Sequence, residues 1–227
     1  ILLDGFNGNL IISGAFGLFK KDVVVAAGGY ATDTLGEDME LVVKLHVYCR
    51  NNQRPYAIRY EPNAVCWSQA PASAGDLMKQ RRRWHLGLFQ CLVRYRFMFG
   101  SLRYGFVGTV SYLYYLLYEL LSPFITVLGV GVTVLAAAVE RLNYPFMIKF
   151  YLLFVLYGAI LTITAFFQRI YTQNLHISRG DAARACLMCV FESVFFRFLL
   201  DFVRITAFIG YRKRKNKWGE IKRYQSP

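Results

Sequence analysis

Acidic residues are scarce in this sequence, and charged residues of either sign are few. Only 14 Asp and Glu stand against 27 Lys and Arg, and charged residues make up 18% of the 227 positions, below the roughly 25% of soluble domains. Hydrophobic residues make up 56%. This balance argues against an ordinary soluble domain and favours a membrane protein with an anionic partner. Nucleic acid is not the expected partner, because the basic residues border apolar runs instead of forming one basic domain.

Cysteine is also sparse, and its spacing matches neither a disulfide scaffold nor a complete metal site. The cysteines are Cys49, Cys66, Cys91, Cys186 and Cys189. The last two form a single CxxC within an apolar segment, and two thiolates cannot complete a four-ligand zinc site. We therefore predict buried, unpaired thiols, which suit a reducing compartment.

The sequence lacks internal repeats and a signal peptide, and it begins at Ile1 within apolar sequence. We expect it to be a piece of a larger protein. Changes in composition and periodicity divide it into four parts. These parts are residues 1–72, 73–103, 104–184 and 185–227.

Residues 1–72 have the pattern of an α/β domain. Short runs rich in β-branched and aromatic residues, bounded by glycines, predict strands. These runs are NLIIS (9–13), GAFGLF (14–19), YAIRY (56–60) and NAVCW (63–67). Residues 20–30 predict a short helix stopped by a Gly-Gly pair, and residues 37–50 predict a longer helix with acidic residues in its first turn. The part is too short for a complete doubly wound domain and matches the second half of one.

Residues 73–103 contain an amphipathic helix that Ser73 or Asp76 can cap. Within it, KQRRRW (79–84) places three arginines and a tryptophan just before long apolar segments. A basic collar at a membrane surface would explain this composition, and so would a site for a phosphorylated substrate.

Two apolar segments in residues 104–184 exceed the roughly 20 residues needed to cross a bilayer. They cover about 111–139, with Glu119 as the single charge, and about 146–167. Pro123 is expected to kink the first segment or divide it. We predict two membrane spans from these segments.

Residues 185–227 combine an apolar stretch with charges. Arg197, Asp201 and Arg204 share one helix face and can pair, which favours a helix lying in the membrane interface over a third span. Residues 211–223 contain seven Lys and Arg against one Glu, so the tail should be cytoplasmic. Two spans with this interfacial helix satisfy that rule, and so would four crossings with the first apolar run split in two.

Two motifs occur in order ahead of the apolar segments, GED (36–38) and QRRRW (80–84). Together with the membrane segments behind them, they resemble the membrane-embedded family 2 glycosyltransferases, the synthases of cellulose, chitin, hyaluronan and poly-N-acetylglucosamine. The late motifs of that family are TED and QxxRW. The resemblance implies the second half of a GT-A type nucleotide-sugar transferase domain followed by an α-helical membrane domain.

The resemblance also assigns roles to residues. Asp38, beside Glu37, would be the general base that deprotonates the acceptor hydroxyl. Gln80 and Arg83 would hold the nucleotide diphosphate, and Trp84 would lie beside the acceptor sugar. Structural explanations stand next to these roles, because first-turn acids complement a helix dipole and Arg and Trp anchor interfacial helices.

Other residues of the motifs and the tail receive weaker assignments. Trp218 in the tail would contact the active site, although a membrane-surface anchor explains it equally well. Arg81 and Arg82 are predicted to form the basic collar. The histidines are predicted to be structural. They are His46, His85 and His176.

Two departures from the family pattern bear on completeness. Gly36 stands where the family has Thr, and no Asp-x-Asp occurs in the sequence. The Mg²⁺ or Mn²⁺ that the family uses would then find its ligands upstream of Ile1 and none in this chain, and the 227 residues alone would be inactive.

The expected function is inverting transfer of a sugar from a UDP-sugar to a growing polysaccharide or oligosaccharide acceptor. It would take place at the cytoplasmic face of the plasma membrane, and the sequence leaves open whether an auxiliary subunit takes part. One alternative is a non-processive transferase that adds one sugar to a lipid-linked acceptor, although QRRRW goes with processive members. The other is a non-catalytic membrane scaffold or transporter fragment.

Overall fold

The computed structural model describes residues 2–12, 14–61, 64–66, 68–172 and 175–211. Across these ranges the chain is helical or irregular and contains no strand. The predicted α/β class is therefore wrong for the part of the chain that the structure describes. Two compact units are formed, one by Ile1–Pro123 with Val203–Pro227 and the other by Phe124–Phe202.

In chain order the α-helices are α1 (Leu2–Gly5), α2 (Lys21–Ala26), α3 (Glu37–Asn51), α4 (Ala74–Arg94), α5 (Tyr112–Tyr114), α6 (Ser122–Ala138), α7 (Tyr144–Thr172), α8 (Arg179–Phe191) and α9 (Arg197–Thr206). Between them lie 3-10 turns at Arg96–Met98 and Leu102–Tyr104. Wider π-helical segments occupy Val107–Ser111, Tyr115–Leu121 and Glu192–Phe196.

Side chains take the place of a neighbouring strand along residues 56–60, which were predicted to be β. The N–H of Ile58 donates to Asn7 Oδ1 at 2.7 Å, and the N–H of Tyr60 donates to Asp4 Oδ1 at 2.6 Å. A strand belongs to a sheet only when the backbone of another strand supplies its hydrogen bonds. The hydrophobicity pattern of residues 56–60 does not show whether a partner strand exists, so it predicted a strand where none forms.

The structure has the helix ends that the sequence predicted for α2, α3 and α4. Helix α2 stops before Gly28 and Gly29, whose φ angles of 95° and 67° suit glycine. Helix α3 covers the predicted residues 37–50 and one more. Ser73 caps α4, its Oγ accepting from the N–H of Asp76 at 3.1 Å. These predictions are confirmed.

The core of the first unit lies where α3 packs against α4 and the segment that follows. Buried apolar side chains from all three meet there, among them Met39, Val43, Leu92, Met98 and Val107. Burial of each such side chain contributes about 1.5–3 kcal/mol relative to exposure. This packing brings the start of α3 against the middle of α4, where the candidate site lies.

Two helical regions are long and apolar enough to cross a membrane by length and composition, Val107–Ala138 and Tyr144–Thr172. They contain the two apolar segments that the sequence singled out. Within the first, the helix changes from π to α geometry at Ser122, one residue before Pro123. Proline lacks the N–H of a regular helical turn, so a change of helix type at this position is physically reasonable.

The second unit contains most of α6, then α7, α8 and the π-helical segment after α8, and the start of α9. A Cβ at Gly158 would lie 3.2 Å from Ser193 Oγ, so glycine permits this close helix contact. Arg197 pairs with Glu192 at 3.5 Å, and Glu192 also accepts from Thr162 Oγ1 at 3.3 Å. The partner of Arg197 in this ion pair thus lies five residues before it in the chain.

Candidate active site

Asp38 lies in the first turn of α3, and it lines a cleft of about 370 Å³ in the first unit. Its Oδ1 accepts from the N–H of Met39 at 2.8 Å. Its Oδ2 accepts from the N–H of Gly14 at 3.3 Å. Backbone donors from two segments therefore fix the orientation of this half-buried carboxylate.

One face of α4 forms another wall of the cleft through Arg81, Trp84, His85 and Leu88. The guanidinium of Arg81 lies 4.8 Å from the centre of the Trp84 ring, a cation–π distance. Trp84 is 49% exposed, so part of its ring remains open to a ligand. Burial, and secondarily the charge of Arg204, lower the pKa of the Arg81 guanidinium. Two cationic side chains thus share this small cleft.

The structure brings some of the predicted residues together and leaves others aside. Asp38 and Trp84 line the same cleft. Glu37, Gln80 and Arg83 are half-buried. Although they are close in sequence to residues of the cleft, they are not among the described residues that line the cleft. Trp218 lies outside the described residues.

The two arginines predicted to form a membrane collar have protein contacts. Arg81 lines the cleft, as described above. Arg82 donates from Nε to Thr206 Oγ1 at 3.0 Å, which ties α4 to the end of α9. The basic motif therefore serves the packing of the first unit and the wall of the cleft.

Gln90 positions the loop before α3, a role that the sequence reasoning missed. Its Oε1 accepts from the N–H of Leu35 at 2.8 Å and from Thr34 Oγ1 at 3.1 Å. It follows Gly87 by three residues, so the two are neighbours on the face of α4 that packs against the loop before α3. This spacing was the available signal. The bonds hold the chain just before Asp38 against α4.

His85 is buried and lines the cleft, although it was predicted to be structural. Burial, and secondarily the charge of Arg204, lower the pKa of His85 from 6.5 to about 4. The ring is therefore neutral near pH 7 and brings no positive charge to the cleft. Its ring packs edge-on against Phe208 with centroids 5.6 Å apart.

Three further lining residues come from elements far away in sequence. They are Tyr115, Glu119 and Arg204. The first two belong to the π-helical segment Tyr115–Leu121, and the third belongs to α9. No sequence spacing connects these residues with Asp38, because only the packing of the helices brings them together.

A divalent cation lacks a suitable donor set in the described part of the chain. There, no group of three or more His, Cys, Asp or Glu side chains is placed to hold a metal ion. Asp38 and Glu119 are the carboxylates among the described residues that line the cleft. The described residues of this cleft therefore do not fit the metal that family 2 transferases use.

A carboxylate at a helix start, beside arginines and an open tryptophan face, is an arrangement suited to sugar transfer. A family model described as glycosyl transferase family group 2 matches residues 3–168. The chain belongs to this family, which confirms the family predicted from the two motifs.

Two curated relatives of the chain are named poly-β-1,6-N-acetyl-D-glucosamine synthase. The protein of that name from Staphylococcus aureus (strain COL) is 46% identical over 83 residues, which are 37% of this chain and 19% of the relative. The Staphylococcus epidermidis protein is 42% identical with the same coverage. The match thus spans about a fifth of the relatives' length. No solved structure matches the chain.

Proposed function

We propose that this chain forms the acceptor side of the active site of an inverting glycosyltransferase. The enzyme would transfer a sugar from a UDP-sugar to a growing polysaccharide at the cytoplasmic face of a membrane. One observation carries the proposal: Asp38 at the start of α3 and Trp84 on α4 line a single cleft. This placement combines a base with a flat apolar surface for a sugar ring.

Asp38 is the general base of the proposed reaction. The acceptor sugar stacks on Trp84 and presents a hydroxyl to the Asp38 carboxylate. The carboxylate takes the hydroxyl proton as the oxygen attacks the anomeric carbon of the donor. The bond from that carbon to the diphosphate oxygen breaks, and UDP leaves with the bonding electrons. Such a base contributes about 10²–10⁴ in rate.

The donor diphosphate is assigned to the basic motif of α4. Gln80 and Arg83 carry this role by their place in the motif, and Arg81 joins them because it lines the cleft. Guanidinium groups bind phosphate oxygens through charge-assisted hydrogen bonds. Glu37 adds negative charge beside Asp38 at the start of α3.

The relatives and the two apolar helices support the proposed sugar and membrane setting. The name of the staphylococcal relatives suggests N-acetylglucosamine as the transferred sugar. The regions Val107–Ala138 and Tyr144–Thr172 would anchor the chain in the bilayer. The basic residues between 211 and 223 would place the catalytic side in the cytoplasm.

UDP release by the intact protein in native membranes tests the proposal, with a panel of UDP-sugars and added Mg²⁺ or Mn²⁺. We expect release with UDP-N-acetylglucosamine and a fall of about 10²–10⁴ in Asp38→Asn. Asp22→Asn is the matched control, because Asp22 is an exposed acid in the first turn of α2. This control should behave like the wild type.

The other functions predict different results. Release that is unchanged in Asp38→Asn, or absent with every UDP-sugar, would contradict the proposal and favour a scaffold. Release accompanied by the addition of a single sugar would identify a non-processive transferase. The size of the product, measured by gel filtration, distinguishes a processive synthase from a non-processive transferase.

A further inference from the structure

Glu119 is an unusual residue for its position in the chain. It is the only charged residue between residues 107 and 138, which form a helical region apolar enough to cross a membrane. A charged side chain in such a region is unfavourable, so those that occur usually line a binding site or a water-filled path. The position of Glu119 therefore indicates a functional role for its carboxylate.

The surroundings of Glu119 point to a ligand. It lines the cleft that also contains Asp38 and Trp84. In the part of the chain that the structure describes, no hydrogen bond or ion pair within 4 Å involves its carboxylate. It lies in the π-helical segment Tyr115–Leu121, and such wide turns are rare and often occur at functional sites.

We propose that Glu119 is an acceptor-binding residue. Its carboxylate accepts hydrogen bonds from hydroxyl groups of the acceptor saccharide, while the reacting hydroxyl faces Asp38. Tyr115, from the same π-helical segment, lines the cleft beside it. This inference rests on the proposed glycosyl transfer and assigns the residue that holds the acceptor at the membrane end of the site.

The chemistry favours the acceptor over the donor as the ligand of Glu119. An ionised carboxylate only accepts hydrogen bonds, and sugar hydroxyls donate them. A nucleotide diphosphate would be repelled by the same charge. The cations of the cleft, Arg81 and Arg204, offer the donor the opposite interaction. Loss of Glu119 should therefore weaken acceptor binding without weakening donor binding.

A purely structural role would be that of a counter-ion for Arg81 and Arg204. That role predicts lower stability when the charge is removed. The proposed role predicts equal or higher stability when the charge is removed. An apolar residue is more favourable than Glu in an apolar helix, and functional residues often reduce stability. Thermal unfolding in detergent therefore separates the two explanations.

The experiment compares the intact wild type with Glu119→Leu and Glu119→Gln in membranes. The acceptor is a short β-1,6-linked N-acetylglucosamine oligomer, and the donor is UDP-N-acetylglucosamine. We expect the acceptor KM to rise about tenfold or more in Glu119→Leu and less in Glu119→Gln. The donor KM should not rise by more than about twofold, because removal of the Glu119 charge takes away a repulsion on the diphosphate, and the unfolding temperature should be equal or higher. Glu140→Gln, an exposed acid outside the cleft, is the charge control.

An unchanged acceptor KM in an active Glu119→Leu protein would overturn the inference and leave the proposed function standing. A lower unfolding temperature with equal losses for both substrates would also overturn it and indicate the counter-ion. A wild type that releases no UDP would refute the proposed function itself, and the inference with it.

Discussion

The backbones of Gly36 and Gly87 lie in direct contact. A Cβ added to Gly87 would sit 2.7 Å from the nitrogen of Gly36, and one added to Gly36 would sit 3.0 Å from the Cα of Gly87. Gly36 is the residue at which this sequence departs from the Thr of its family. Because no side chain separates the two backbones, the start of α3 can approach α4 and place Asp38 in the cleft with Trp84.

Substitution of Gly87 by Ala should disrupt the cleft. The added methyl would overlap the backbone of Gly36, which cannot move aside as a flexible side chain could. We expect a loss of about 1–3 kcal/mol in the free energy of unfolding, together with a reduced rate of UDP release. Gly75→Ala is the matched control on the same helix, since its Cβ would meet only Ser73 Oγ at 3.7 Å. Similar losses in both variants would show that the contact is unimportant.

A buried carboxylate joins α3 to α4. Glu40 is 1% exposed, accepts from the hydroxyl of Tyr95 at 2.7 Å, and pairs with Lys44 at 3.1 Å and Arg94 at 3.4 Å. Glu40→Gln removes the counter-charge of Lys44 and one of the two carboxylates that pair with Arg94, which keeps its pair with Asp33. We expect a loss of about 3 kcal/mol, the lower end for buried pairs, because the Arg94 side chain is 36% exposed.

Chemical unfolding in detergent would measure this loss. The control is Asp181→Asn, which breaks the exposed pair with Arg184 and should change stability by less than about 1 kcal/mol. Equal effects of the two variants would show that the buried network contributes no more than a surface ion pair.

The stability of the first unit should fall as the pH drops from 6.5 toward 4. His46 is fully buried, and its Nε2 donates to the carbonyl of Asn9 at 2.8 Å while Nδ1 accepts from the Tyr56 hydroxyl at 2.7 Å. Burial is the main cause that lowers the pKa of His46 from 6.5 to about 4. Between these values the unfolded chain binds the proton and the folded chain does not, so acid favours unfolding.

His46→Gln tests this pH dependence. The variant should lose part of the change in unfolding temperature between pH 7 and pH 4.5, and His85 should account for some of the remainder because its pKa is also lowered to about 4. His176→Gln removes an exposed histidine and should leave the pH profile unchanged. A wild-type profile that is flat over this range would contradict the prediction.

Trp84 should act through its aromatic face. Trp84→Ala removes the surface on which the acceptor ring is proposed to stack, and kcat/KM for the acceptor should fall about 2- to 10-fold, as expected for an aromatic contact. Trp84→Phe keeps a ring and should recover part of the loss. Steady-state kinetics of UDP release measure both. Equal activity of the Phe and Ala variants would show that stacking is not involved.

Local features of the fold could be read from the sequence. The start of α3 at its acidic turn, the Ser73 cap of α4 and the glycine stop of α2 depend on neighbouring residues, and all were found where expected. The two apolar helices depend on length and composition in the same way. The prediction of a sheet was wrong because a strand forms only with a partner strand, and the local sequence pattern does not show whether one is present.

From the sequence alone came the end of α2, the starts of α3 and α4, the two apolar segments and the two motifs that indicated the family. The tertiary structure decided which residues share the cleft. It placed Arg81 there among the described lining residues, and it added Glu119 and Arg204 from distant helices. The reason is physical, since helix periodicity fixes neighbours within a few turns. Contacts between helices depend instead on how closely two backbones can approach, here at Gly36 and Gly87.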